Sequence, residues 1–181
     1  LSLALDKALA KKVVRAAGID TPNFQLMTTG RERLDKQFTR WPLMVKPVAE
    51  GSSKGVVQKS VCHSEAELRG VVKELVDRYD QPALIEEYIG GREFTVGLLG
   101  ERRPKVLPPM EIVFLDRNDK TPIYKFEDKL EANDRIKYEV PAKLEPAQLE
   151  RMKSAARGAF MALGCRDVAR IDFRMDEAGR I

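Results

Sequence analysis

Leu43-Met-Val-Lys-Pro-Val-Ala-Glu-Gly-Ser-Ser-Lys-Gly-Val56 runs as an apolar strand that delivers one lysine and then breaks into a small, polar, glycine-bounded loop. Leu43, Met44 and Val45 predict a short buried strand, and Pro47, which lacks an N–H, stops regular ladder pairing at its own nitrogen. Lys46 therefore stands at a strand end. Gly51 and Gly55 open backbone angles closed to other residues, while Ser52 and Ser53 add hydroxyl donors to the N–H groups of the loop. Such a loop suits a polyphosphate, and it equally suits an ordinary surface hairpin with a snorkelling lysine. Val56-Val-Gln-Lys-Ser-Val61 alternates in character and is expected to return as the partner strand, with the polar loop at the hairpin tip.

Working outward, the first residues predict a helix from Ser2 that Gly18 stops, with Lys7 and Lys11 on one face. Pro22 then turns the chain into a short strand. Ser64 reads as an N-cap with Glu65 and Glu67 in the first turn, ahead of a helix that buries Leu68, Val71, Val72, Leu75 and Val76. Strands follow over 83–89 and 93–100, on either side of Gly90-Gly91. Glu86 ends an apolar run, where its carboxylate could accept from a ligand or simply face solvent; the backbone of Glu87, Tyr88 and Ile89 could read a nucleobase. Val106 to Phe114 is a strand set at an edge or bend by Pro108 and Pro109.

Residues 116–137 are charged and aperiodic and predict a long loop, with Tyr124 to Leu130 as a possible cover over a site. Lys129 is its candidate anion contact, against the plainer reading of a solvated charge. A long amphipathic helix follows over 145–164, entered through Pro146. Val168 to Asp176 alternates as a strand, placing Arg170, Asp172 and Arg174 on one face and Ile171 and Phe173 on the other. Arg170 beside Asp172 is either a plain salt bridge or a pair suited to a phosphoryl group and its metal ion.

The 181 residues are 43% hydrophobic and 33% charged, enough for one sizeable core or two small ones. No apolar run approaches a membrane span, and Cys62 and Cys165 are too few and too far apart for a disulfide framework or a zinc cluster. A cytoplasmic protein is expected. The net charge of +4 comes from basic residues interleaved with acids, which does not imply nucleic acid but is compatible with a small anionic ligand.

Five motifs in register, Ser2-Leu-Ala-Leu-Asp-Lys7, Val45-Lys46-Pro47 with Glu50-Gly-Ser-Ser-Lys-Gly55, Leu84-Ile-Glu-Glu-Tyr-Ile89, Arg92-Glu-Phe-Thr-Val96 and Ala169-Arg-Ile-Asp172, resemble the ATP-grasp enzymes of the D-alanine–D-alanine ligase type. The resemblance implies an α+β fold of two subdomains with mainly antiparallel sheets sandwiching ATP. Its expected boundaries are a lead-in helix over 1–18, a central subdomain over 19–90 and a C-terminal subdomain over 91–181. It also implies a substrate domain ahead of this chain and, beyond Ile181, a strand with a Glu and an Asn that complete a magnesium site.

On that resemblance Lys7 and Lys46 would contact ATP phosphates and Ser52 and Ser53 would close over them. Glu86, Glu87, Tyr88 and Ile89 would read adenine, Glu93 would lie near the ribose, and Asp172 would bind Mg2+ or Mn2+. Lys129, Arg170 and Ser52 are the implied catalytic residues, with Lys129 and Arg170 steadying charge on the phosphoryl group and the acyl-phosphate. Implied partners are small amino acid substrates, and a second copy of the chain in the whole protein. Leu130 stands where the ligase pattern carries a tyrosine, which opens the alternative of another amino acid or carboxylate substrate. A nucleotide-binding module without ligase activity is the remaining alternative.

Overall fold

A computed structural model describes residues 2–116, 118–130 and 134–181. These sort into two compact units, the first holding residues 2–11, 21–88 and 123–130 and the second 12–20, 89–116, 118–122 and 134–181.

The opening helix expected as one piece is two, α1 (Ser2–Leu5) and α2 (Lys7–Ala16). Asp6 makes the break. Its Oδ1 accepts the Leu9 N–H at 2.9 Å, capping the second helix, and the Lys7 N–H goes to the Val48 carbonyl at 3.0 Å. Gly18, at φ +76°, ends α2 as its position predicts.

The first unit carries a four-stranded antiparallel sheet in the order β1 (Phe24–Met27), β4 (Ala83–Glu87), β2 (Leu43–Pro47), β3 (Val61–Cys62). Alternation along β2 buries Leu43, Val45 and Pro47 and turns Met44 and Lys46 the other way. Helix α3 (Glu65–Tyr79) lays Leu68, Val71, Val72 and Leu75 against Met27, Leu43, Val45 and Ile85. Its cap is the expected one: Ser64 Oγ accepts the Glu67 N–H at 3.3 Å, and Glu67 accepts the His63 N–H at 2.9 Å. The return strand expected over 56–61 is mostly absent. A 3-10 turn over Gln58–Ser60 takes its place, because Ser60 Oγ accepts the Val57 N–H and its amide returns to the Val57 carbonyl, leaving only Val61 and Cys62 to pair with Met44 and Leu43.

In the second unit β5 (Arg92–Leu99) pairs along its whole length with β9 (Val168–Met175). Its other edge takes β6 (Lys105–Val106) and then β7 (Met110–Phe114), which in turn pairs with β8 (Ile136–Glu139). Between β6 and β7 the register on β5 slips by one residue. Leu107 still donates to the Gly97 carbonyl at 2.9 Å, so Pro108 and Pro109 bulge one bent strand rather than end it. Helix α5 (Pro146–Ala162) seats Met152, Ala156 and Phe160 on Phe94, Val96 and Leu98. The loop expected over 116–137 contains a helical turn, α4 (Glu127–Leu130), and the strand β8. Asp128 starts that turn by accepting the Lys125 N–H at 3.0 Å. Positions 117 and 131–133 of the expected loop lie outside the described residues.

Gly91 sets the entry to β5. At φ +88° a Cβ there would stand 2.4 Å from the Met175 carbonyl oxygen, so both backbone angle and space exclude a side chain. Gly91→Ala is expected to destabilise the second unit by roughly 2 kcal/mol or more, seen as a lower urea midpoint; an unchanged midpoint would show that the β5 entry tolerates a side chain.

Candidate functional site

Burial of one carboxylate organises the first unit's charged cluster. Glu86 on β4 lies opposite Met44 on β2, with its side chain 9% exposed. Its Oε1 takes Lys46 Nζ and its Oε2 takes Lys11 Nζ at 2.9 Å. Burial pushes the Glu86 carboxyl up, but Lys46 and Lys11 together outweigh that and hold it down at about 2. Lys11 also donates to Thr21 Oγ1 at 2.8 Å and to the Pro22 carbonyl at 3.3 Å.

Lys7, one helical turn before Lys11, serves the start of the polar loop. Its Nζ donates to the carbonyls of Pro47 at 3.0 Å, Val48 at 3.3 Å and Glu50 at 2.5 Å. Burial lowers its pKa to about 8, and repulsion from Lys46 adds to the drop against the pull of Glu86, Glu50 and Asp6. The loop itself is tightly wound. Ser52 and Ser53 have φ of 54° and 62°, and Gly55 at φ +76° lets the chain fold back on Pro47, whose Cγ would lie 2.6 Å from any Cβ there. Lys129 Nζ donates to Ser53 Oγ at 2.8 Å, Ser53 Oγ donates to the Tyr124 carbonyl at 3.0 Å, and the ammonium sits 4.7 Å from the centre of the Tyr124 ring. Three lysines thus bear on one loop: Lys46 at its root, Lys7 on its carbonyls and Lys129 on its serine.

Glu87 is occupied differently from its neighbour, accepting from the backbone N–H and the side-chain amide of Asn23 at 3.0 and 3.2 Å. The pair pins β4 to the start of β1.

In the second unit the β5–β9 ladder puts Thr95 directly opposite Asp172, and Thr95 Oγ1 donates to Asp172 Oδ1 at 2.7 Å. Arg170 Nε stands 3.2 Å from the same oxygen, with both side chains more than half exposed. The pair is thus oriented on one strand face and open to a ligand. Arg174, on that face too, donates to the Ile89 carbonyl at 2.8 Å and to Glu93 Oε2 at 2.7 Å. Among the described residues no three His, Cys, Asp or Glu side chains come together as a metal site. Asp172 nonetheless fits magnesium in part, since that ion is commonly held by one or two carboxylates with substrate phosphates and water completing the shell.

Several contacts have no clear local signature in the sequence. Lys11 showed only as a shared helix face; its i, i+4 spacing from Lys7 was the available signal. Thr95 as the support of Asp172 needs the strand register, which no local pattern contains. Alternation places Arg174 on the correct face, but its hold on Ile89 and Glu93 depends on the fold.

A family model described as the D-ala D-ala ligase C-terminus matches residues 13–181. An uncharacterized protein, y4sG, of Sinorhizobium fredii is 37% identical over 175 residues, covering 97% of this chain and 50% of that protein. A D-alanine–D-alanine ligase of Pelotomaculum thermopropionicum is 34% identical over 190 residues, covering 98% of this chain and 56% of the ligase. Among solved structures, the VanG D-Ala:D-Ser ligase from Enterococcus faecalis superposes with a TM-score of 0.77 at 27% identity, over 99% of this chain and 50% of that one. The D-alanine–D-alanine ligase from Bacillus anthracis complexed with ATP gives 0.72 at 26% identity, over 97% and 52%. The chain spans about half the length of the curated relatives it matches.

Because the folded state holds Glu86 below its ordinary 4.5, at about 2, its ion pairs contribute stability that is full above about pH 4.5 and is lost as pH falls toward 2. Glu86→Gln is therefore expected to cost about 1–3 kcal/mol at pH 7, a gap from wild type that closes as urea melts are repeated down to pH 2.5. A gap independent of pH would mean that the carboxylate's charge contributes nothing to stability.

Proposed function

The chain belongs to the D-alanine–D-alanine ligase C-terminal family of ATP-grasp proteins, and on that premise we propose that it is the ATP-binding part of an ATP-dependent carboxylate–amine ligase that makes D-alanyl-D-alanine for cell-wall precursors. The convergence of Lys46, Lys7 and Lys129 on the Glu50–Gly55 loop carries this reading, because ATP brings several negative charges that such a set can match.

Lys7 and Lys46 hold the phosphates, and Ser52 and Ser53 cover them from the loop. Adenine is read by Glu86, Glu87, Tyr88 and Ile89, with Glu93 toward the ribose. The first substrate's carboxylate is a poor acyl donor; its oxygen attacks the γ-phosphorus, ADP leaves, and the acyl-phosphate now carries a good leaving group. The amine of the second substrate then attacks the acyl carbon and expels phosphate. Lys129 and Arg170 steady the charge that builds on the transferring phosphoryl group. Asp172, oriented by Thr95, would hold magnesium, which when bound neutralises phosphate charge. No protein nucleophile is needed.

A cytoplasmic setting agrees with the free thiols of Cys62 and Cys165, and no helix among the described residues is long and apolar enough to cross a membrane. The acceptor has a second reading. Leu130, 66% exposed, leaves the position after Lys129 without the tyrosine of the ligase pattern, and a D-Ala:D-Ser ligase is among the structural neighbours. D-serine or another amino acid is that alternative acceptor.

The protein that carries this chain is expected to release phosphate from ATP with D-alanine, and a panel adding D-serine and L-alanine identifies the acceptor. Lys46→Ala and Asp172→Ala should each lower kcat/KM by roughly 100-fold or more. Absence of phosphate release with every acceptor, alongside measurable ATP binding, would leave a nucleotide-binding module instead.

A further inference from the structure

We propose that Lys11 is the resident counter-ion of Glu86, which leaves Lys46 able to exchange that carboxylate for an anionic ligand. Lys11 is then a positioning residue for nucleotide binding. The inference rests on the reading of Lys46 as a phosphate contact.

Glu86 divides its two oxygens between two ammonium groups, and the two are held unequally. Lys46 has Glu86 as its hydrogen-bond partner among the described residues. Lys11 is fastened from several directions: to Glu86 Oε2 at 2.9 Å, to Thr21 Oγ1 at 2.8 Å, to the Pro22 carbonyl at 3.3 Å, and 5.5 Å from the centre of the Phe24 ring. Its side chain is 12% exposed against 21% for Lys46. A lysine so held does not turn to a ligand without breaking several contacts, whereas Lys46 has one to give up.

The electrostatics assign the same roles. Had Glu86 only Lys46 for a partner, moving that ammonium to a phosphate would strand a buried carboxylate, and the penalty would be charged against ligand binding. With Lys11 in place, 2.9 Å from Oε2, the carboxylate keeps a cation. Lys46 can then swing without leaving an unpaired charge. Lys7 and Lys11, one turn apart on α2, divide the work, one bracing the loop and the other bracing the carboxylate.

Calorimetric titration of magnesium-ATP and of adenosine into wild type, Lys11→Met, Lys11→Arg and Lys46→Ala tests this. Lys11→Met is expected to weaken ATP binding roughly tenfold, the scale of one charged hydrogen bond, and adenosine, which meets Glu86 but brings no phosphate to Lys46, distinctly less, so that the ratio of the two affinities falls. Lys11→Arg, which keeps the charge, should restore most of that ratio; Lys11→Gln serves if the Met variant does not fold. Equal weakening of both ligands would show a merely structural lysine and overturn the inference. So would wild-type ATP affinity in Lys11→Met when Lys46→Ala has lost it, and in that case the phosphate reading of Lys46 stands. Wild-type ATP affinity in Lys46→Ala would overturn the phosphate reading and the inference together.

Discussion

A buried carboxylate must keep a positive partner, and in the first unit that requirement falls on Glu86. It sits on a central strand of the sheet, where β4 is flanked by β1 and β2. Lys46 reaches it from the neighbouring strand and Lys11 from a helix, so three elements meet at one ionised group. Lys46 belongs both to this cluster and to the root of the polar loop. The position of that loop is thus tied to the charge balance of the sheet beneath it.

The loop has little secondary structure of its own and is shaped by what borders it. Gly55 allows close approach to Pro47, Lys7 gathers the carbonyl groups of Pro47, Val48 and Glu50 at its start, and Lys129 holds Ser53 from a distant part of the sequence. Each of these lysines makes hydrogen bonds to the polypeptide. On the proposed function, a phosphate would meet ammonium groups already ordered, so little side-chain entropy would remain to be lost on binding.

The second unit solves a different problem, which is to aim a small set of charged groups from a strand. The long β5–β9 ladder sets Thr95 beside Asp172 and Glu93 opposite Arg174. Alternation sends these polar side chains away from the apolar layer under α5, and the strand supplies the spacing. The bulge at Pro108 and Pro109 lets one bent strand cover the other edge of β5 without disturbing that ladder.

Local chemistry in the sequence determined the α+β character, the N-cap at Ser64, the stop at Gly18, the long helix entered at Pro146, and the faces of the Val168–Met175 strand, because each depends on residues a few positions apart. Taken one at a time, the lysine, the serine loop and the arginine–aspartate pair suit an anion and an ordinary surface alike; it is their resemblance, in that order, to the ATP-grasp ligases that points to ATP. Tertiary structure alone decided how those side chains are held. The break at Asp6 needs Val48 to take the Lys7 amide; the loss of most of the strand over 56–61 turns on the 3-10 turn around Ser60. Lys11 beside Glu86, Thr95 beside Asp172 and Lys129 beside Ser53 are meetings across 75, 77 and 76 positions of sequence. Periodicity tells a side chain which face to occupy, but only the packed sheet tells it which partner it will find there.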